Sequence, residues 1–185
     1  MDNADCSLRY TFYCIKKDAG RYDDWRRQSG FWVSLSYRIR RLRKLGGAAF
    51  FWLLPVDAFF GIVRRLVADS AIPSSLPVGP GLYLPHPTGI IFNSQAVIGE
   101  FVTIFHQVTI GEWHGEAPII GDECALFAGA KVFGGIIIGR CSKIGANCTL
   151  NRSVPEYSTV SLSHPNISSR KNPHKVKETS SQTIF

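Results

Sequence analysis

Between Leu84 and Leu150 an aliphatic or Phe side chain recurs at a spacing that is mostly six: Leu84, Phe92, Ile98, Ile104, Ile110, Ile120, Leu126, Val132, Ile138, Ile144 and Leu150. Val78 extends the series backwards. Two residues before most members stands a further apolar or small residue: Ala96, Val102, Val108, Cys124, Ala130, Ile136, Ser142 and Cys148. Glycine directly follows several members, as at Gly79, Gly99, Gly111, Gly121, Gly139 and Gly145. A helix needs a period of 3.6 and a simple strand a period of 2. A six-residue period with two inward positions and a turn residue predicts short strands joined by sharp corners and stacked into a parallel β-helix. The spacing breaks twice. Two extra residues fall in Leu84-Pro85-His86-Pro87-Thr88-Gly89, and four in Gly111-Glu112-Trp113-His114-Gly115-Glu116-Ala117-Pro118. Loops on a rigid scaffold are where function concentrates.

Ahead of the repeat the pattern is helical. Ser29 to Lys44 predicts a helix capped by Ser29, with Phe31, Leu35, Ile39 and Leu42 on one face. Arg38, Arg40, Arg41, Arg43 and Lys44 crowd its end, where the helix dipole favours cations. Leu45 to Val63 is strongly apolar, but Pro55 and Asp57 lie within it. An Asp at the centre of a bilayer costs about 2.5–3.5 kcal/mol on insertion scales. A packed or surface-lying pair of helices is therefore expected instead of a span, and residues 38–63 allow contact with a membrane surface. Residues 1–20 read as polar with scattered aromatics. Val154-Pro155 reads as the end of the six-residue pattern. The expected division is residues 1–71 helical, 72–160 β-helical and 161–185 a basic, disordered tail.

Charge narrows the classes of partner. Residues 1–70 carry thirteen Lys/Arg against seven Asp/Glu, residues 71–160 four against six, and residues 161–185 four against one. The net charge of +7 thus comes from the flanks. A nucleic-acid binder would place a basic stripe on its main face, so none is expected here. The five cysteines form no CxxC pair, and no apolar leader opens the chain. A reduced, cytoplasmic protein is expected.

The run Leu84-Pro85-His86-Pro87-Thr88-Gly89, together with Ile104-Phe105-His106-Gln107-Val108-Thr109-Ile110-Gly111 and Ala128-Gly129-Ala130-Lys131, resembles the hexapeptide-repeat acyltransferases. Within them it is similar to serine acetyltransferases and their relatives in surface-polysaccharide biosynthesis. The likeness covers roughly residues 72 to 160 at motif level. It implies a mainly β fold, a left-handed parallel β-helix of triangular section with a short α-helical N-terminal segment. It also implies a homotrimer with sites between subunits, acetyl-CoA as donor and no metal.

With three hexapeptides per coil, Leu84, Ile104, Leu126 and Ile144 share one corner. His86 and His106 then project from adjacent coils, on the order of 5 Å apart, with Ala128 next in the column. The resemblance puts His86 on the catalytic histidine. Histidine suits a general base because its unperturbed pKa lies near neutrality. His106, Trp113, His114 and Glu116 are candidates for acceptor binding. Gly111, Ala128, Lys131 and Lys143 are candidates for the CoA side. Serine acetyltransferases carry an Asp immediately before the catalytic histidine, where this chain has Pro85. Their Arg-His before a loop proline is replaced by Glu116-Ala117 ahead of Pro118, and the position of their orienting Asp holds Ala71. Loss of the Arg removes an anchor for an amino-acid carboxylate. A carbohydrate acceptor in surface-polysaccharide biosynthesis is therefore the first expectation and serine the second. A metal-binding β-helix of the γ-carbonic anhydrase kind and a non-catalytic scaffold are further alternatives. The histidine spacing matches no recognised ligand set, and His86 argues for catalysis.

Overall fold

The computed structural model describes residues 8–46, 51–67, 70 and 72–162. Ala71, Asp69 and the expected tail from residue 163 onward lie outside the described residues. Among the described residues three helices precede the repeat: α1 (Leu8–Ala19), α2 (Ser29–Gly46) and α3 (Leu54–Val67). Among the described residues eleven short strands follow and form three parallel sheets, the faces of a triangular solenoid. The first face stacks β2 (Val97–Ile98), β5 (Ile119–Ile120) and β8 (Ile137–Ile138), with Val78 bridging above and Val154 below. The second stacks β3 (Thr103–Ile104), β6 (Ala125–Leu126), β9 (Lys143–Ile144) and β11 (Thr159–Val160), with Tyr83 above. The third stacks β1 (Ile91–Phe92), β4 (Thr109–Gly111), β7 (Lys131–Phe133) and β10 (Thr149–Leu150).

The six-residue series is the interior. Leu84, Ile104, Leu126 and Ile144 are fully buried in one column. The small positions Ala96, Val102, Val108, Cys124, Ala130, Ser142 and Cys148 are buried beside the columns, so the two cysteines pack as small apolar groups. Two corners are turned by residues in the left-handed region. Gly81, Phe101, Glu123, Cys141 and Tyr157 form one such column, and Gly89, Gln107, Gly129 and Asn147 the other. The pattern does not stop at Pro155. The chain makes the turn from Leu150 to Val154 two residues short, then resumes a six-residue step to Val160 on β11.

The helices close the open end of the coil, which the sequence did not announce. Every later coil hydrogen-bonds to the one above; the first has none above it. Its backbone groups go to side chains of α1, α2 and their connection. Asp18, fully buried, accepts from the amides of Gly81 and Leu82 at 2.8 and 2.9 Å. Arg38, equally hidden, pairs with Asp18 at 3.0 Å and donates to the carbonyls of Val78 and Gly79. Tyr37 Oη donates to Leu76 O, and Tyr22 Oη accepts from Leu84 N. Burial pushes both the Asp18 carboxyl and the Tyr22 phenol up, and at Asp18 the Arg38 guanidinium opposes it. An unmet buried backbone group costs about 1–3 kcal/mol, so this set of contacts holds the cap in register.

Residues 8–19 are thus a helix despite their polar look, because Cys14 and Asp18 are what α1 buries. On α2 the expected stripe is only half right. Phe31 and Leu42 are buried, whereas Leu35 and Ile39 are partly exposed and Val33, Tyr37 and Arg38 face the coil. Arg38 is therefore a clamp on backbone carbonyls. Gly30 lets α2 cross directly over the Leu84 carbonyl, into which a Cβ would run. Among the described residues no helix is long and apolar enough to cross a membrane.

Candidate active site

The two-residue insertion lies at the corner between the second and third faces. Pro85 and the buried Pro87 stiffen the backbone on both sides of His86, and Thr88 N donates to His86 O in a tight turn. Gly89, at φ 65°, returns the chain to β1. His86 is exposed. One coil below, His106 follows Ile104 as His86 follows Leu84. The two rings meet edge to face with centroids 6.0 Å apart. The column continues with the half-buried Ala128. His106 Nδ1 is buried without a hydrogen-bond partner.

Beside this column the ring of Phe105 stacks on that of Phe127 at 5.1 Å and 15°. Both are half-buried. The sequence did hold a signal for them: each directly follows a member of the buried column in consecutive coils. They offer an apolar wall next to the histidines.

The four-residue insertion leaves the other end of the third face. Trp113 and Glu116 pair across a tight hairpin whose central residues, His114 and Gly115, both have positive φ, the requirement of a type I′ turn. Glu112 fastens it by accepting from Gly115 N at 2.7 Å. The Trp113 and His114 rings stack at 5.4 Å. Gly134 and Gly135 in the next coil lie beneath the hairpin, and a Cβ on Gly135 would strike the Glu116 carboxylate. Within one chain the hairpin is a full face away from His86: β4 separates His106 from Glu112. Trp113, His114 and Glu116 are exposed and not gathered around the histidine pair.

The candidates for the CoA side are dispersed as well. Lys131 and Lys143 are exposed on different faces, and Lys131 Nζ donates to Gly129 O. Gly111 has a packing reason of its own, since a Cβ there would lie 2.6 Å from Phe133 Cδ1. Cavities of about 230 and 470 Å³ lie along the seam between α1 and the solenoid, and neither is lined by His86 or His106. Among the described residues no group of three His, Cys, Asp or Glu side chains is placed to hold a metal ion.

No family model matches the chain. Among curated proteins it is 37% identical over 102 residues to a serine acetyltransferase of Staphylococcus aureus, covering 53% of this chain and 48% of that protein. It is 35% identical over 100 residues to a serine acetyltransferase of Mycobacterium tuberculosis, covering 52% and 44%. The chain thus spans about half the length of the curated relatives it matches. Among solved structures, the serine acetyltransferase of Neisseria gonorrhoeae in complex with serine superposes with a TM-score of 0.71 at 27% identity, over 86% of this chain and 70% of that one. Serine acetyltransferase isoform 3 of Entamoeba histolytica shares the fold, with a TM-score of 0.72 at 24% identity over 91% and 64%. The six-residue period, the three-sided coil and these likenesses together identify a hexapeptide-repeat, left-handed β-helix similar to that of the serine acetyltransferases.

Proposed function

We propose that the chain transfers an acetyl group from acetyl-CoA to the hydroxyl of serine, with His86 as general base. The observation that supports this most is the His86–His106 pair on consecutive coils of a chain similar to serine acetyltransferases. His86 is open to an acceptor, held by prolines and on a rigid corner. Its imidazole takes the hydroxyl proton as the oxygen attacks the thioester carbonyl. A backbone N–H stabilises the tetrahedral oxyanion. The C–S bond then breaks and the imidazolium returns the proton to the departing thiolate. No covalent enzyme intermediate is needed, and no step calls on a metal.

The comparisons reverse the order of acceptors expected from the sequence. The curated relatives above are serine acetyltransferases, and a neighbouring structure holds serine. A sugar acceptor in polysaccharide biosynthesis becomes the second reading. One observation still favours it: the inserted hairpin presents Glu112, Trp113 and Glu116 and no arginine. Acids and a stacked indole suit sugar hydroxyls better than a carboxylate. A solved serine acetyltransferase in complex with CoA also aligns, at 26% identity and a TM-score of 0.63, which supports CoA as donor. Gly111, Ala128, Lys131 and Lys143 are proposed to line its path.

A homotrimer would bring the hairpin of one subunit toward the histidine pair of another. In support, Ile119 and Ile137 are in register and about half exposed on the first face, a flat aliphatic strip that a neighbouring subunit would cover. Light scattering should give a trimer at micromolar concentration, and a monomer would remove the shared site. The deciding experiment for the acceptor is CoA release from acetyl-CoA with serine, nucleotide sugars and oligosaccharides in parallel. Turnover with serine is expected. Turnover with a sugar alone would overturn the serine reading and leave His86 in place.

A further inference from the structure

We infer that the helical arm from Phe51 to Ile62 docks on an anionic membrane surface. Helix α3 leans on α2 and, among the described residues, packs against none of the strands. Asp57 and, just ahead of the helix, Leu53 are on its inner side. Asp57 is mostly covered and pairs with Arg43 at 2.8 Å and with Arg40 at 3.5 Å. The one acid of this arm is thereby neutralised against α2 and kept off the outer side. That outer side is apolar and large: Phe51 is 71% exposed, Trp52 66%, Phe59 63% and Ile62 61%, with Leu54 and Val56 at its margin. Pro55, Phe59 and Ile62 follow at spacings of four and three, which puts them on one helix face. Such an exposed apolar patch on a water-facing arm marks an interaction site.

Charge selects the occupant. Residues 38–67 contain seven Lys/Arg and a single acid, Asp57; with Arg38 buried against Asp18, six Lys/Arg remain against that one acid. Two copies meeting through this arm would bring two strongly cationic segments together. An anionic leaflet would be attracted, at about 1 kcal/mol for each Lys or Arg near its surface. Trp and Phe are favoured at the headgroup level. At fourteen residues α3 is about 21 Å long, short of a hydrocarbon core of about 30 Å, so the arm lies along the surface. This assignment is independent of the acyl-transfer reading.

The test is flotation of the full chain with vesicles of phosphatidylcholine alone or of phosphatidylcholine with phosphatidylglycerol. Binding to the phosphatidylglycerol vesicles, weakened by salt, is expected, with little on the neutral ones. Trp52→Ala with Phe59→Glu should lower binding at least about tenfold, since each lost aromatic removes a buried apolar side chain. Lys44→Glu, at the exposed end of α2, should weaken binding about tenfold through charge alone, which covers the case of a misfolded double variant. Equal partition onto both vesicle types, or Phe59→Glu and Lys44→Glu floating like the wild type, would overturn the assignment. So would vesicle-free self-association abolished by Phe59→Glu, which would give the face to a second copy of the chain.

Discussion

The second coil and the first face the same backbone problem and solve it differently. In the second coil Ile104 N donates to Tyr83 O, Phe101 N donates to Pro80 O, and Ile98 O accepts from Gly79 N. In the first coil the equivalent groups have no coil above. Leu84 N donates to Tyr22 Oη, Gly81 N to Asp18 Oδ1, and Val78 O accepts from Arg38 Nη1. A repeating backbone is thus continued by side chains that occur once. Inside the solenoid each contact is one of many alike. At the cap a handful of residues holds a whole edge, so the two regions should respond very differently to single changes.

The largest expected effect belongs to the solenoid and leaves its stability alone. His86→Ala should lower kcat roughly 10²–10⁴-fold with an unchanged melting temperature, because His86 is exposed and outside the buried columns. Steady-state kinetics and thermal melts on the same preparation check this. Near-normal turnover in a well-folded protein would exclude His86 as the base. Next comes the cap. Asp18→Ala strands Arg38 with 3% of its side chain exposed, and removing one partner of a buried pair costs about 3–5 kcal/mol. Chemical denaturation should show that loss, with near-ultraviolet signals of the aromatic-rich cap going first. A loss below about 1 kcal/mol would mean that the edge is satisfied without the cap. Leu126→Ala, inside the repeat, should cost about 2–5 kcal/mol and melt the whole coil in one transition. Gly30→Ala should cost about 1–3 kcal/mol, as α2 is pushed off the Leu84 carbonyl. The smallest effect sharpens the view of the second insertion. Trp113→Ala should raise the acceptor KM several-fold, a loss of about 1 kcal/mol, without changing the melting temperature. An unchanged KM would take the hairpin out of acceptor binding.

The same contrast explains what could be read from the sequence. The columns Leu84–Ile104–Leu126–Ile144 and Phe92–Ile110–Val132–Leu150 were legible because each coil imposes the same interior demand. The His86–His106 contact followed from that register, two residues after equivalent members of one column. Asp18 and Arg38 were not legible. Neither lies on an apolar period, and in sequence Arg38 is indistinguishable from Arg40 or Arg41, which lie beside it on the same helix. Only the place of α2 over the coil's edge separates them. The short turn at Leu150–Val154 hid β11 for a related reason: a corner that loses two residues looks like the end of a pattern. For the acceptor two signals point apart: the absent arginine in the hairpin suits a sugar, whereas the likeness to serine acetyltransferases supports serine, the acceptor proposed above.

The corner between the third and first faces is not crossed at one fixed length. From one column to the next, successive coils cross it in six, ten, six and four residues, from Phe92 to Ile98, Ile110 to Ile120, Val132 to Ile138 and Leu150 to Val154. The strands on either side keep their register throughout. Length at this corner is therefore decoupled from the stack, and the hairpin at Trp113–Glu116 already closes on itself. It is a natural graft point: a foreign loop whose ends meet as those two residues do could replace His114-Gly115 and inherit a rigid pedestal. The opposite treatment, a change of one residue within a strand, would turn every following side chain inside out. This scaffold can be rewritten at its corners and must be left alone along its faces.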